Sequence, residues 1–275
     1  MTTRAEESMH QNIEAAETYG GYLDLDRLLG AQHPRSGEHD EMLFIVIHQA
    51  SELWIKLLLH ELAALRADIR AGQLAPSLKI FARIGRVQMQ LIQSWDVLST
   101  LTPHDYGRLR PYLGPSSGFQ SHQYRLLEFL LGNKDAGLIE VHRSHPDRFA
   151  LLGEALATPS LYDETLQLLA RRGIAVPAER LARDWREPYR AHEGVEAAWL
   201  EVYRDVQTHW DLYDLAEKLV DVEDRFQQWR FRHLKTVARI IGMKGGTGGS
   251  SGVPFLARAL DLSFFPELWS LRTKL

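Results

Sequence analysis

Twelve histidines and no cysteine set the chemical repertoire of this 275-residue chain. Without thiolates there is no cysteine nucleophile, iron–sulfur cluster, cysteine-based zinc site or thiolate-ligated haem. The C-x-x-C-H attachment of c-type haem is excluded as well. No H-E-x-x-H motif occurs, and His142 and His145 are followed directly by Pro146, which spoils a rigid helical pair. Non-haem metal is therefore not expected. His48 lies on an apolar helix between Phe44 and Trp54, and His233 follows Trp229-Arg230-Phe231-Arg232 on another. Taken singly, each reads as a hydrogen-bonded core or surface residue. Taken together on long helices, they also suit a haem pocket, one imidazole on the iron and the other distal to it. Glu52, four residues past His48, is an ordinary same-face helical neighbour.

Arg110 sits between a short capped helix carrying Tyr106 and the turn-rich run Arg110–Gly118. An arginine there is ordinarily solvated or a loop tether. Its planar fork also suits a clamp on a ligand carboxylate. The glycine-rich stretch Gly242–Gly252 follows a helix rather than a strand and lacks G-x-x-x-x-G-K-[ST], so it is a poor phosphate loop. A mobile loop that closes over a ligand fits it better, with Thr247 able to anchor that ligand through a neutral hydrogen bond. Trp229–Arg232 mixes aromatic and basic residues as nucleic-acid stacking surfaces do. The acidic neighbours Asp221, Glu223 and Asp224 favour a solvated helix face instead.

Helices must position these groups. Residues 41–68 are apolar nearly all round, with Asp40 as N-cap and Gly72 beyond the end. A second helix spans roughly 77–100, with Ile80, Ile84, Val87, Leu91, Trp95 and Leu98 on one stripe. Thr102-Pro103-His104-Asp105 is a helix start, and a further helix covers 119–131 up to Gly132. Residues 160–172 carry the cap signals Ser160 and Asp163, and a short helix follows Pro177. Helical pattern then runs from 193 to 241, long enough to require a break near Thr208-His209. With no strand pattern or repeat, the expected fold is all-α: long antiparallel helices in a single domain over 1–275. Residues 135–192 read as a small helical insertion, and 242–252 as a mobile loop.

A composition of 45% hydrophobic and 25% charged residues is that of a globular protein. Net charge −4 offers no global positive field for nucleic acid or anionic lipid. Consecutive apolar runs such as Met42–Ile47 are too short to span a membrane. The start, Met1 to Ser8, lacks an apolar signal core. A soluble, cytoplasmic protein is expected.

In order, the chain carries Tyr19-Gly-Gly-Tyr22-Leu23-x-Leu25 and His39-Asp-Glu-Met-Leu-Phe44-Ile-x-x-His48-Gln-x-Ser51-Glu52-Leu-Trp54. Next come Tyr106-x-x-x-Arg110-Pro-x-Leu-Gly114-x-Ser-Ser117-Gly118-Phe119-Gln and Trp229-Arg-x-x-His233. Last is Gly242-x-Lys-x-Gly-Thr247-Gly-Gly-x-x-Gly252. From residue 19 to the C-terminus this series resembles the tryptophan 2,3-dioxygenase family. The resemblance implies a homotetramer with one haem b per subunit. It would insert both atoms of O₂ across the indole C2–C3 bond of L-tryptophan, giving N-formyl-L-kynurenine, the first step of the kynurenine pathway. It further implies His233 as axial haem ligand, His48 as distal histidine near the indole N–H, and Trp95 beside the haem. Arg110 would bind the substrate carboxylate with Tyr106 assisting, Phe44 would pack on the indole, and Thr247 would hold the ammonium side. Ser117 and Gly118 would line the distal pocket, and Tyr19, Tyr22 and Leu23 would complete the neighbouring subunit's site. The residues alone leave two other classes open. A haem carrier or sensor needs His233 but not Arg110, Phe44 and Thr247; a cofactor-free helical interaction protein needs none of them.

Overall fold

The computed structural model describes residues 18–275, and the N-terminal octapeptide read for a signal core lies outside them. In chain order the helices are α1 (Tyr19–Tyr22), α2 (Leu25–Leu29), α3 (Glu41–Ala71), α4 (Leu74–Leu98), α5 (Pro103–Leu113), α6 (His122–Leu131) and α7 (Pro146–Ala157). They continue with α8 (Leu161–Arg171), α9 (Ala178–Leu181), α10 (Glu193–Arg204), α11 (Trp210–Ile241), α12 (Val253–Ala259) and α13 (Pro266–Ser270). Short 3₁₀ turns cover Gly118–Gln120, Ala136–His142 and Leu271–Lys274, and no strand occurs among the described residues. The fold is all-α.

Local chemistry sets most of these boundaries. Gly72 ends α3 in the left-handed region at φ 72°, and only Gln73 separates it from α4, so the two helices run antiparallel. The Thr102 side chain caps α5 from the Asp105 N–H, with Pro103 in the first turn. Ser160 and Asp163 form a reciprocal capping box on α8. The break between α10 and α11 falls at residues 205–209. Asp40 does not cap α3: its carboxylate receives no helix N–H. The chain entering α3 folds back over the helix start, so the first-turn carboxylate of Glu41 is the nearer acceptor. It takes the N–H groups of Arg35 and Ser36 at 2.8 and 2.6 Å.

Side chains on α4 meet α11 in ascending register. Gln88 donates to the Val222 carbonyl, and seven residues later Trp95 packs on Trp229 and His233. α4 and α11 therefore run parallel, with α3 opposed to both. The main core, including Leu58, Leu62, Leu65, Ile84, Leu91, Leu161, Trp199 and Leu219, fills the middle of this frame. A second cluster, Phe129, Ile139, Leu152, Ala155 and Leu156, joins α6 to α7 and the 3₁₀ turn at 136–142. Buried Lys134 fastens it by donating to the carbonyls of Leu156 and Thr158 at the end of α7.

Two expectations change. The face of α11 around Trp229–Arg232 is only partly solvated. Arg230 is 3% exposed, bonded to buried Glu128 at 2.8 Å and stacked on Phe226 and Phe264. Glu223 is buried too, receiving the N–H groups of Phe264 and Phe265 from the C-terminal segment. Charge pattern on one helix cannot show that another segment folds over it. Likewise, α3 is long and apolar enough, by length and composition, to cross a membrane, although its uninterrupted apolar runs are short. Its C-terminal half is built into the protein, with Leu58, Leu62 and Leu65 in the main core and ion pairs from Glu61 to Arg83 and from Arg66 to Glu164.

Candidate active site

Because α3 opposes α4 and α11, the N-terminal part of α3 meets the C-terminal parts of the other two. A small apolar cluster separate from the main core forms there: Leu98, Leu101 and Ile240, with Leu43, Phe44, Ile47, Trp95, Tyr106 and Ile241 packed on it. His48 and His233 look into this end of the molecule from α3 and α11. The His48 Nδ1 lies 2.7 Å from the Phe44 carbonyl. A carbonyl only accepts, so Nδ1 carries the proton and Nε2 is left as an acceptor. Burial lowers the His48 pKa, against the raising effects of that carbonyl and of Glu52, so the ring is neutral at pH 7. Burial pushes His233 down to about 4, and the charge of His48 acts on it in the same sense. His233 nevertheless keeps some accessible surface and makes no hydrogen bond among the described residues. Phe44 lies beside both neighbours that matter, 4.2 Å from His48 and 6.4 Å from Tyr106 between ring centroids.

A cleft of about 450 Å³ is lined by Gly107, Arg110, Pro111, Gly114, Gly246 and Thr247. The last two belong to the glycine-rich loop, which lies against the cleft. Arg110 Nη2 donates to the Gly245 carbonyl at 2.7 Å, and Thr247 Oγ1 donates to the Ser116 carbonyl. Further along, Phe255 at the start of α12 meets Phe119 edge-on at 5.6 Å. Burial raises the pKa of Tyr106, partly offset by Arg110, so its phenol stays protonated and can donate. Arg110 and Thr247 thus line one cleft, while Tyr106 packs with Phe44, which in turn lies on His48.

A family model described as tryptophan 2,3-dioxygenase matches residues 4–159 and 156–275. The chain belongs to the tryptophan 2,3-dioxygenase family. It is 62% identical over 256 residues to a tryptophan 2,3-dioxygenase of Erythrobacter litoralis, covering 93% of this chain and 97% of that protein. It is 57% identical to one from Cupriavidus necator, covering 94% and 88%. With a tryptophan 2,3-dioxygenase 1 of Ralstonia nicotianae the identity is 54%, covering 98% and 92%.

For this member of the tryptophan 2,3-dioxygenase family, the structure brings Phe44, Trp95 and Tyr106 into one apolar cluster, with His48 on Phe44 and His233 on Trp95. It sets Arg110 and Thr247 around the cleft, with Ser117 beside Gly248 of the loop and Gly118 opening the 3₁₀ turn that Ser117 caps. Tyr19, Tyr22 and Leu23 stand apart, 77%, 83% and 41% exposed on α1, which buries no residue. Sequence reasoning missed the backbone partners of the cleft, the carbonyls of Gly245 and Ser116, because contacts across about 130 residues leave no local signal. It also missed Trp229 as a neighbour of His233, which the four-residue spacing on one helix face does encode.

One glycine contact yields a prediction. A Cβ on Gly248 would sit 2.5 Å from Ser117 Cβ. Gly248→Ala should therefore hold the loop off its seat and raise KM roughly tenfold, the effect of overpacking by ~1.4 kcal/mol. Adding Ser117→Gly removes the opposing Cβ, and steady-state kinetics of the double variant should recover most of the lost affinity.

Proposed function

We propose that this chain is a haem-dependent tryptophan 2,3-dioxygenase with haem b held by His233 and the substrate seated between His48 and Arg110. The family reaction, oxidative cleavage of tryptophan to N-formylkynurenine, is its activity, so it is an oxidoreductase. The carrying observation is the packing of Phe44 on His48 and Tyr106, and of Trp95 on His233, in one cluster, together with a cleft lined by Arg110 and Thr247 of the glycine-rich loop. His233 fits the cofactor. It is a neutral imidazole whose ring makes no hydrogen bond among the described residues, so a ring lone pair is available for iron. Among the described residues no three His, Asp or Glu side chains converge on a metal, so iron here needs a macrocycle to complete its coordination. When bound, the haem supplies the binding and activation of O₂, which no side chain performs unaided.

The remaining work falls to the protein. A zwitterionic amino acid leaves water only if both charges are met. Arg110 keeps N–H groups beyond the one given to Gly245 and can take the carboxylate, with the protonated Tyr106 as second donor. The Thr247 hydroxyl hydrogen is committed to Ser116, so its oxygen faces an ammonium as acceptor. Phe44 offers a ring face to the indole, and the free Nε2 of His48 accepts from the indole N–H. Ser117 and Gly118 line the distal side, and Trp95 flanks the haem. The loop, seated on Ser116 and Ser117, excludes water.

In this reading the active unit is a homotetramer. The apolar side chains of Tyr19, Tyr22, Leu23 and Leu29 stand exposed on α1 and α2, and Met42, Val46 and Leu53 on α3. Covering such surface with a second copy supports completion of each site by a neighbour's N-terminal helix.

The test is an absorbance time course on haem-reconstituted, reduced protein given L-tryptophan and air. Growth of the formylkynurenine band with an intact Soret band is the expected result. A stable Soret band without product would favour a carrier or sensor. Since His48 orients the substrate as an acceptor, His48→Ala should keep most of its kcat with a raised KM. In the parent, kcat/KM should hold below pH 6.5, because the His48 pKa is lowered, and fall only as the ring protonates and loses its acceptor. Near-total loss of turnover in His48→Ala with haem intact would instead make it the base.

A further inference from the structure

A metal-bound histidine usually gives its second ring N–H to a carboxylate, a carbonyl or water, which fixes the ring and strengthens it as a donor. His233 has no such protein partner among the described residues. It is held by rings. Trp95 of α4 lies parallel to the imidazole, with centroids 4.5 Å apart and planes 8° apart. Trp229, one turn earlier on α11, closes a second side at 5.5 Å and 50°, and the two indoles touch at 5.6 Å.

Among the described residues the enclosed Trp95 Nε1 meets no protein hydrogen-bond acceptor, so no hydrogen bond of its own accounts for an indole at this place. What the indole supplies and a smaller ring does not is a broad face laid flat over the imidazole.

We propose that Trp95 is a positioning residue for the axial ligand: its stacked face, in place of a hydrogen bond, sets the rotation of the His233 ring and leaves it a neutral, weakly donating imidazole. The inference rests on the proposed role of His233 as haem ligand. A neutral imidazole with no anionic partner favours the ferrous state over the ferric, since it adds no charge to the iron. The stack lets the fold hold the ring without such a partner.

The first measurement is the iron–histidine stretching band of the ferrous, haem-loaded protein, with the ferric/ferrous potential, in Trp95→Phe and Trp95→Leu. Trp95→Phe removes that N–H and should melt no lower than the parent. In both variants the band should shift and broaden, most in Trp95→Leu, and the potential should move with it. The second measurement uses His233→Gly loaded with haem and titrated with free imidazole. Adding Trp95→Leu should weaken imidazole binding roughly three- to tenfold, the usual worth of one aromatic stack. An unchanged band, together with equal imidazole affinity in the two cavity variants, would overturn the proposal. If His233→Gly without imidazole kept the parent haem content and spectrum, the ligand assignment itself would fall, an outcome distinct from the first.

Discussion

Replacing Arg110 by alanine is expected to raise KM for tryptophan about 100- to 1000-fold. Among the described residues that line the cleft with Thr247, the guanidinium is the one cation, and in the proposed reading it meets the substrate carboxylate. Truncation leaves that carboxylate desolvated and unpaired, a penalty of about 3–4 kcal/mol for a buried, charge-assisted pair. A second loss follows from the same atom group, because Arg110 also ties down the Gly245 carbonyl at 2.7 Å. Lysine should recover little, since a point charge cannot serve the carboxylate and the loop carbonyl in one plane. Tryptamine, which lacks the carboxylate, gives the sharper reading. The parent should strongly prefer tryptophan to tryptamine, and Arg110→Ala should treat the two nearly alike. A KM change of less than about fivefold, or a preserved preference, would remove Arg110 from the site.

The second large effect is expected at His233. His233→Gly should fold, lose the histidine-ligated Soret band after haem reconstitution, and yield no formylkynurenine. Free imidazole should restore the band. The perturbed pKa adds a signed consequence for the haem-free protein. The unfolded chain binds a proton here near 6.5, the folded one only near 4. The native state therefore holds fewer protons between those values. The stability tied to this group is complete above pH 6.5 and declines by about 1.4 kcal/mol per pH unit on descent toward 4. Denaturation midpoints measured at pH 7 and pH 5 should differ less in His233→Gly than in the parent. The same low pKa keeps the ring available to iron in mild acid, so haem uptake by the parent should be nearly level from pH 7 to 5.

Much of the scaffold was legible because its signals are local. Apolar stripes at helical spacing located α3, α4 and α11. Ser160 with Asp163, and Thr102 with Pro103, set helix starts through bonds made within four residues. Asp40 makes no cap, and the first-turn carboxylate of Glu41 instead binds the N–H groups of residues 35 and 36, a tertiary path of the chain that local pattern does not encode. Arg230 and Glu223 looked solvated until α6 and the C-terminal segment were seen to cover them. At the site, residue types announced a possible clamp and a possible ligand. The pairing of Arg110 with a loop carbonyl, and of Trp95 with His233, depends on three helices meeting at one end, and periodicity is silent about that.

The apolar cluster beneath the site is small and separate from the main core. In the proposed reading, catalytic and folding demands are therefore carried by different residues, the first at one end and the second along the middle of the same three helices. A polar or strained group introduced around Phe44 or Trp95 disturbs few of the contacts that hold α3, α8 and α10 together, and a core leucine can be repacked far from the substrate. Thermal tolerance and substrate range are therefore separable targets in this chain: variants can be selected for one while the other is left alone.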